Sequence, residues 1–98
     1  MQARLYYEAH ITVEPKPNET FEEFSAAFSS RFWRGSTFAE DEVDRIKGKW
    51  FLSGKDQDLA IIRGHTRVAV GILARDGYTV LRYKIEDAIL DSKYGDVL

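Results

Sequence analysis

Cysteine is absent from this 98-residue chain. That excludes disulfide staples, thiol nucleophiles and cysteine-ligated metals, and nothing in the sequence asks for an oxidising compartment. A reducing cytoplasm is the expected setting. Long apolar runs are missing as well: no stretch approaches the roughly 20 apolar residues of a membrane helix. The first residues, "MQARLYYEAH", lack the basic start and apolar run of an export signal. The expectation is a soluble protein that is not exported by that route and has no membrane partner. Nor is there an excess of one charge. Fourteen Lys and Arg stand against sixteen Asp and Glu, for a net charge of −2, so no global field draws the chain to nucleic acid and such a role requires a local basic patch.

What is present suffices for a core. Hydrophobic residues make up 44% and aromatics 13% of the chain, which fits a packed interior and not a disordered segment. The length holds one such interior, so residues 1–98 are expected to form a single compact α+β domain.

Residues 4 to 14 alternate as a strand, with Leu5, Tyr7, Ala9, Ile11 and Val13 facing in and Arg4, Tyr6, Glu8, His10, Thr12 and Glu14 facing out. "PKPNET" ends it. Thr20 and Glu23 have the spacing of a capping box, which predicts a helix from Phe21. Phe21, Phe24, Ala27, Phe28 and Phe32 recur every three or four positions as its core stripe, and Gly35 is the expected stop.

"STFAEDEVD" reads as a short edge strand and a solvated connection carrying Glu40, Asp41, Glu42 and Asp44. This acidic run lacks calcium-loop spacing. It is a solubilising or partner-facing segment, and no metal or other cofactor is expected. "RIKGKWFLSG" alternates again, with Ile46, Gly48, Trp50 and Leu52 on one side and Lys47, Lys49, Phe51 and Ser53 on the other.

From Asp56 to Asp76 the positions Leu59, Ile62, Thr66, Ala69, Val70 and Leu73 follow a helical period, closed by "DG". "SGKD" precedes this helix, where free amides favour an anion and Ser53 or Asp56 can cap. "YTVLRYKIEDAILDS" supplies the last strand, with Leu81, Tyr83 and Ile85 inward, Arg82, Lys84 and Glu86 outward, and a bend or bulge at "EDA".

Strand, helix, weak strand, strand, helix, strand is the order of the ferredoxin-like split βαβ fold, a two-layer sandwich with both helices on one face of an antiparallel-type sheet. The first and third strands become central. The opposite face stays open, and the outward residues of the strands share it.

That face carries the candidate chemistry. "HIT" at 10 to 12 has the His-x-Thr spacing of two-histidine phosphoesterases and resembles them over these three residues, which would make His10 an acid or base and Thr12 a phosphate contact. Those enzymes need a second histidine to complete the proton transfer. The other histidine here, His65, stands in "GHT" within the predicted second helix, so the missing half would have to come from a second copy.

Tyr6, Glu8, His10, Lys49, Phe51, Arg82 and Lys84 together form a candidate binding surface, in which cations and aromatics meet as on RNA-recognition sheets. The plainer alternative pairs Glu8, Glu14 and Glu86 with Lys49, Arg82 and Lys84 across a solvated sheet. Phe51, outward on a central strand, is the expected apolar contact for a partner or a second copy. Trp33 and Phe38 flank Arg34 and Gly35; they either close one end of the core or, if exposed, anchor an interface.

The opening "YYEAHITVEP" and the closing "RYKIEDAILDS" resemble a family of small bacterial and phage proteins with similar first and last strands and no assigned activity. The resemblance covers both ends and not the middle, where "FLSGKD" replaces the histidine-bearing strand end that would be expected. It implies a compact accessory protein and assigns no catalytic residue. The sequence therefore leads to a small non-catalytic binding protein acting on a protein partner or on its own copy. The alternative is a phosphate-directed enzyme or an RNA- or nucleotide-binding module using the sheet around His10.

Overall fold

The computed structural model describes residues 5–37 and 48–89. Along the chain run β1 (Leu5–Val13), α1 (Phe21–Phe28), β2 (Arg34–Ser36), β3 (Trp50–Asp56), α2 (Leu59–Arg75) and β4 (Val80–Ile89). The sheet order is β2-β3-β1-β4 and every neighbouring pair is antiparallel. This is the ferredoxin-like α+β arrangement, with β1 and β3 in the middle. Among the described residues, no helix is long and apolar enough to cross a membrane.

Local chemistry sets the helix ends. Thr20 Oγ1 accepts the Glu23 amide at 3.1 Å while Glu23 Oε1 accepts the Thr20 amide at 2.8 Å, so α1 begins with the expected capping box. It stops at Phe28, well before Gly35. Serines compete for the backbone there: Ser30 Oγ accepts the amides of Phe32 and Trp33, and Ser29 Oγ accepts that of Gly35, which turns the chain out of the helix. Gly35 therefore lies in β2, where an added Cβ would stand 3.0 Å from Ser25 Oγ. The edge strand, Arg34–Ser36, overlaps the segment in which the sequence suggested it only at Ser36, and residues 38–44 of that segment lie outside the described residues, as do Ile46 and Lys47.

Two further expectations shift at β3 and β4. Gly48, with φ of 77°, turns the chain just before β3, which then runs to Asp56 through "SGKD". That stretch is strand, not a loop before a helix. Asp58 takes the capping role instead of Ser53 or Asp56, its Oδ1 accepting the amides of Ala60 and Ile61 at 2.9 and 3.3 Å. At the far end of α2, Gly77 (φ 89°) donates to Ala74 O and Tyr78 donates to Leu73 O, a Schellman closure of the kind "DG" predicts. Thr12 faces Arg82 while Val13 faces Val80, so the bulge falls at Leu81. "EDA" pairs regularly with β1, Glu86 opposite Glu8 and Ala88 opposite Tyr6.

The core lies between the helices and one sheet face: Ala9, Ile11, Val13, Phe24, Trp33, Trp50, Leu52, Ile62, Leu73 and Tyr78. Phe24 is its aromatic centre, with ring centroids 5.0 Å from Trp50, 5.4 Å from Phe28 and 5.7 Å from Tyr78. Thr66 is buried with them, and its hydroxyl donates to Ile62 O at 2.7 Å, which satisfies the polar group inside the core. Tyr7, Phe28, Leu59 and Ile85 pack partly buried against this cluster. Ala27, at the margin of the α1 stripe, is exposed.

Leu5, Leu81 and Tyr83 depart from the inward sets of their strands and are 46%, 44% and 59% exposed. β4 is an edge of the sheet among the described residues, and Tyr83 lines a hollow with Arg63, Arg67 and Val70 at the rim of α2, beyond the part of the sheet that the helices bury.

The second sheet face is not bare. Phe51 is only 4% exposed, and Tyr6 and Thr12 are buried as well. Phe51 stands between Thr12 of β1 and Ser36 of β2. The expectation of a solvent-facing aromatic that invites a partner is therefore corrected.

Candidate functional site

Strand register lays out the outer face in rows. Arg34, Ser53, His10 and Lys84 stand side by side across β2, β3, β1 and β4; the next row holds Lys55, Glu8 and Glu86, and the row on the other side holds Ser36, Phe51, Thr12 and Arg82. Direct neighbours in a row are close enough for their side chains to meet. A period-two strand read correctly at the sequence level thus converges Glu8, His10, Ser53 and Glu86.

His10 is at the centre. Its Nδ1 lies 3.2 Å from Ser53 Oγ, and its Nε2 lies 3.6 Å from Glu8 Oε1 and 3.4 Å from Glu86 Oε1. Lys84 Nζ approaches the other oxygen of Glu86 at 3.9 Å. The imidazole is thus held on one side by a hydroxyl and flanked on the other by carboxylates from two strands.

Beside it opens a groove of about 470 Å³ lined by Glu8, His10, Ser53, Gly54 and Lys55 of the sheet and by Arg31, Phe32 and Arg34 of the α1–β2 segment. Phe32 crosses β3 at Gly54, so closely that a Cβ on Gly54 would stand 2.4 Å from the ring and 2.8 Å from the Phe32 carbonyl oxygen. Only glycine permits that approach. Phe32 also stacks on His65 of α2, with centroids 4.1 Å apart and planes 13° apart, and meets Trp33 edge-on.

The remaining candidates fall elsewhere. Lys49 is held by both oxygens of Glu14, at 2.7 and 2.9 Å, and it does not line the groove. Tyr6 is buried, with Lys55 Nζ 5.9 Å from its ring centre. Arg82 shares a row with Thr12 and Phe51. Thr12 neighbours His10 along the strand but is 2% exposed, so it does not present its hydroxyl to a ligand as the His-x-Thr spacing suggests.

His65 is on α2, which packs on the opposite face of the sheet, so the two histidines do not form an acid and base pair within one chain. Trp33 closes the core and is no exposed anchor; Phe38 lies outside the described residues.

Sequence reasoning passed over Arg31, Phe32, Arg34 and Lys55 as groove residues. Extending the alternation of β3 to Asp56 would have placed Lys55 beside Glu8. Arg34 becomes a neighbour of Ser53 only once β2 is set at its true position. No family model matches the chain, and neither a curated protein nor a solved structure does.

Proposed function

We infer that this chain acts by binding and not by catalysis, and that its ligand is a phosphate-bearing molecule of the nucleotide or single-stranded RNA kind, seated in the His10 groove. The observation that carries the reading is the groove in which Arg31, Arg34 and Lys55 meet His10 and Ser53. Cations and hydroxyls hold phosphate oxygens, whereas the Phe32 ring is already stacked on His65 on the helix side of the sheet. Hydrolysis of a phosphodiester by two histidines requires the second imidazole, which this face lacks among the described residues.

Titration of a fluorescently labelled short RNA tests the reading. Binding should weaken steeply with salt and fall in Arg31→Ala and Lys55→Ala, while Lys49→Ala leaves it unchanged. No binding at low salt would refute it.

A second reading, self-association, has its own support at the sheet edge. Leu81 and Tyr83 of β4 are large, apolar and exposed, and among the described residues β4 pairs with β1 alone. An edge of this kind accepts another strand, here β4 of a second copy. Sedimentation over a concentration series distinguishes the outcomes: a dimer that dissociates in Tyr83→Lys supports it, and a monomer throughout removes it.

A further inference from the structure

We propose that Glu8, His10 and Glu86 form a binding site for a first-row divalent metal ion, with zinc the best fit. Glu8, His10 and Glu86 offer one ligand atom each, an imidazole nitrogen and two carboxylate oxygens, all within 4.8 Å of one another. This is a donor set that zinc accepts, with a solvent molecule or anion in the open position.

Distances make the case specific. Around a tetrahedral ion with bonds of about 2.0 to 2.2 Å, neighbouring donor atoms stand about 3.3 to 3.6 Å apart. The two separations from His10 Nε2, 3.6 and 3.4 Å, fall at that spacing. They are too long for direct hydrogen bonds of ordinary strength. The two carboxylates stand no more than 4.8 Å apart, and Glu86, 45% exposed where Glu8 and His10 are 15% and 13% exposed, is the ligand with most room to adjust.

The surroundings fit a ligand set. Ser53 Oγ engages Nδ1, which fixes the ring and turns Nε2 toward the carboxylates, the task that an outer hydrogen bond performs for a metal-ligating histidine. Lys84 reaches Oε2 of Glu86 and leaves Oε1 directed at His10. In sequence the third ligand is far from the other two, so only the register of β1 against β4 assembles the site. The rival arrangement is a protonated imidazole ion-paired with both carboxylates, with no metal.

The inference shares His10 and Glu8 with the groove but needs no phosphate ligand, and its test contains none. Full-length protein, stripped with a chelator, is titrated with zinc by calorimetry and with cobalt(II) by visible absorption. One equivalent should bind per chain, with a cobalt spectrum of a low-coordinate nitrogen and oxygen site. Binding should be lost in His10→Ala and in Glu86→Gln, the latter a half-exposed position where the fold is not at risk. Ser53→Ala, which removes only the positioning contact, should weaken it about ten- to hundredfold, and His65→Ala should leave it unchanged. No zinc binding, or binding undiminished in Glu86→Gln, would overturn the proposal and leave the ion-paired arrangement. RNA capture is read separately, on chelator-treated protein, so metal binding and RNA binding can each fail alone.

Discussion

Replacing Gly54 by alanine sets two opposed effects against each other at one atom. Alanine should stabilise a strand interior by about 0.5 to 1 kcal/mol, because glycine loses more backbone freedom on folding. Here the new methyl would stand 2.4 and 2.7 Å from two ring carbons of Phe32 and 2.8 Å from its carbonyl oxygen. The ring cannot simply turn aside, since it is stacked on His65 and set edge-on to the buried Trp33. The carbonyl cannot move without shifting the turn that Ser30 organises through the amides of Phe32 and Trp33.

Overpacking of a fixed site costs about 1 to 3 kcal/mol, and a clash with both ring and backbone belongs in the upper part of that range. The net expectation is a loss of about 1 to 2.5 kcal/mol. Urea denaturation followed by tryptophan fluorescence measures it, and Trp33 reports the local change. In a Phe32→Ala background the ring clash is gone, so the Gly54→Ala cost should shrink. A Gly54→Ala protein as stable as wild type would refute the close crossing of Phe32 over β3, and with it the wall of the groove.

Other perturbations have equally definite signs. Phe51→Glu should destabilise by at least about 3 kcal/mol, because it removes a buried ring and installs a carboxylate at a site that is 4% exposed; thermal unfolding reads this directly. Asp58→Ala should cost about 0.5 to 2 kcal/mol through loss of the α2 cap, whereas Asp56→Ala should cost less, as Asp56 only accepts the Asp58 amide.

Tyr78 gives a pH prediction. Burial first, then its hydrogen bond to the Glu19 carboxylate and the charge of that group, push its phenol well above the usual tyrosine range. The unfolded phenol ionises near pH 10 while the folded one stays neutral, so stability from this group is complete below about pH 10 and is lost as pH rises beyond it. Denaturation midpoints should fall above pH 10, and fall less in Tyr78→Phe.

The fold was legible because its signals are local and repeated. Alternation in β1, the Thr20–Glu23 box, the 3.6-residue period of α2 and the Asp76–Gly77 stop each act within a few residues. What was not legible depended on competition or on distance. Ser29 and Ser30 end α1 before Gly35 by taking backbone amides, a contest that hydrophobic spacing does not reveal. Tyr83 alternates correctly yet stays exposed, since burial depends on how far α2 reaches over an edge strand.

Phe51 shows the reverse, an outward position that is nonetheless buried. His10, Glu8 and Lys84 were readable as neighbours on one face. The groove was not, because Arg31, Phe32 and Arg34 reach it through the early end of α1 and through the close pass over Gly54.

The most direct test of the outer face as the working surface is an amide and side-chain NMR titration of labelled protein with a nucleoside monophosphate. Shifts should be confined to His10, Arg31 to Arg34 and Ser53 to Lys55, and should weaken in Arg31→Ala. Saturating nucleotide with no shifts there, or shifts confined to α2 and the β4 edge, would contradict it.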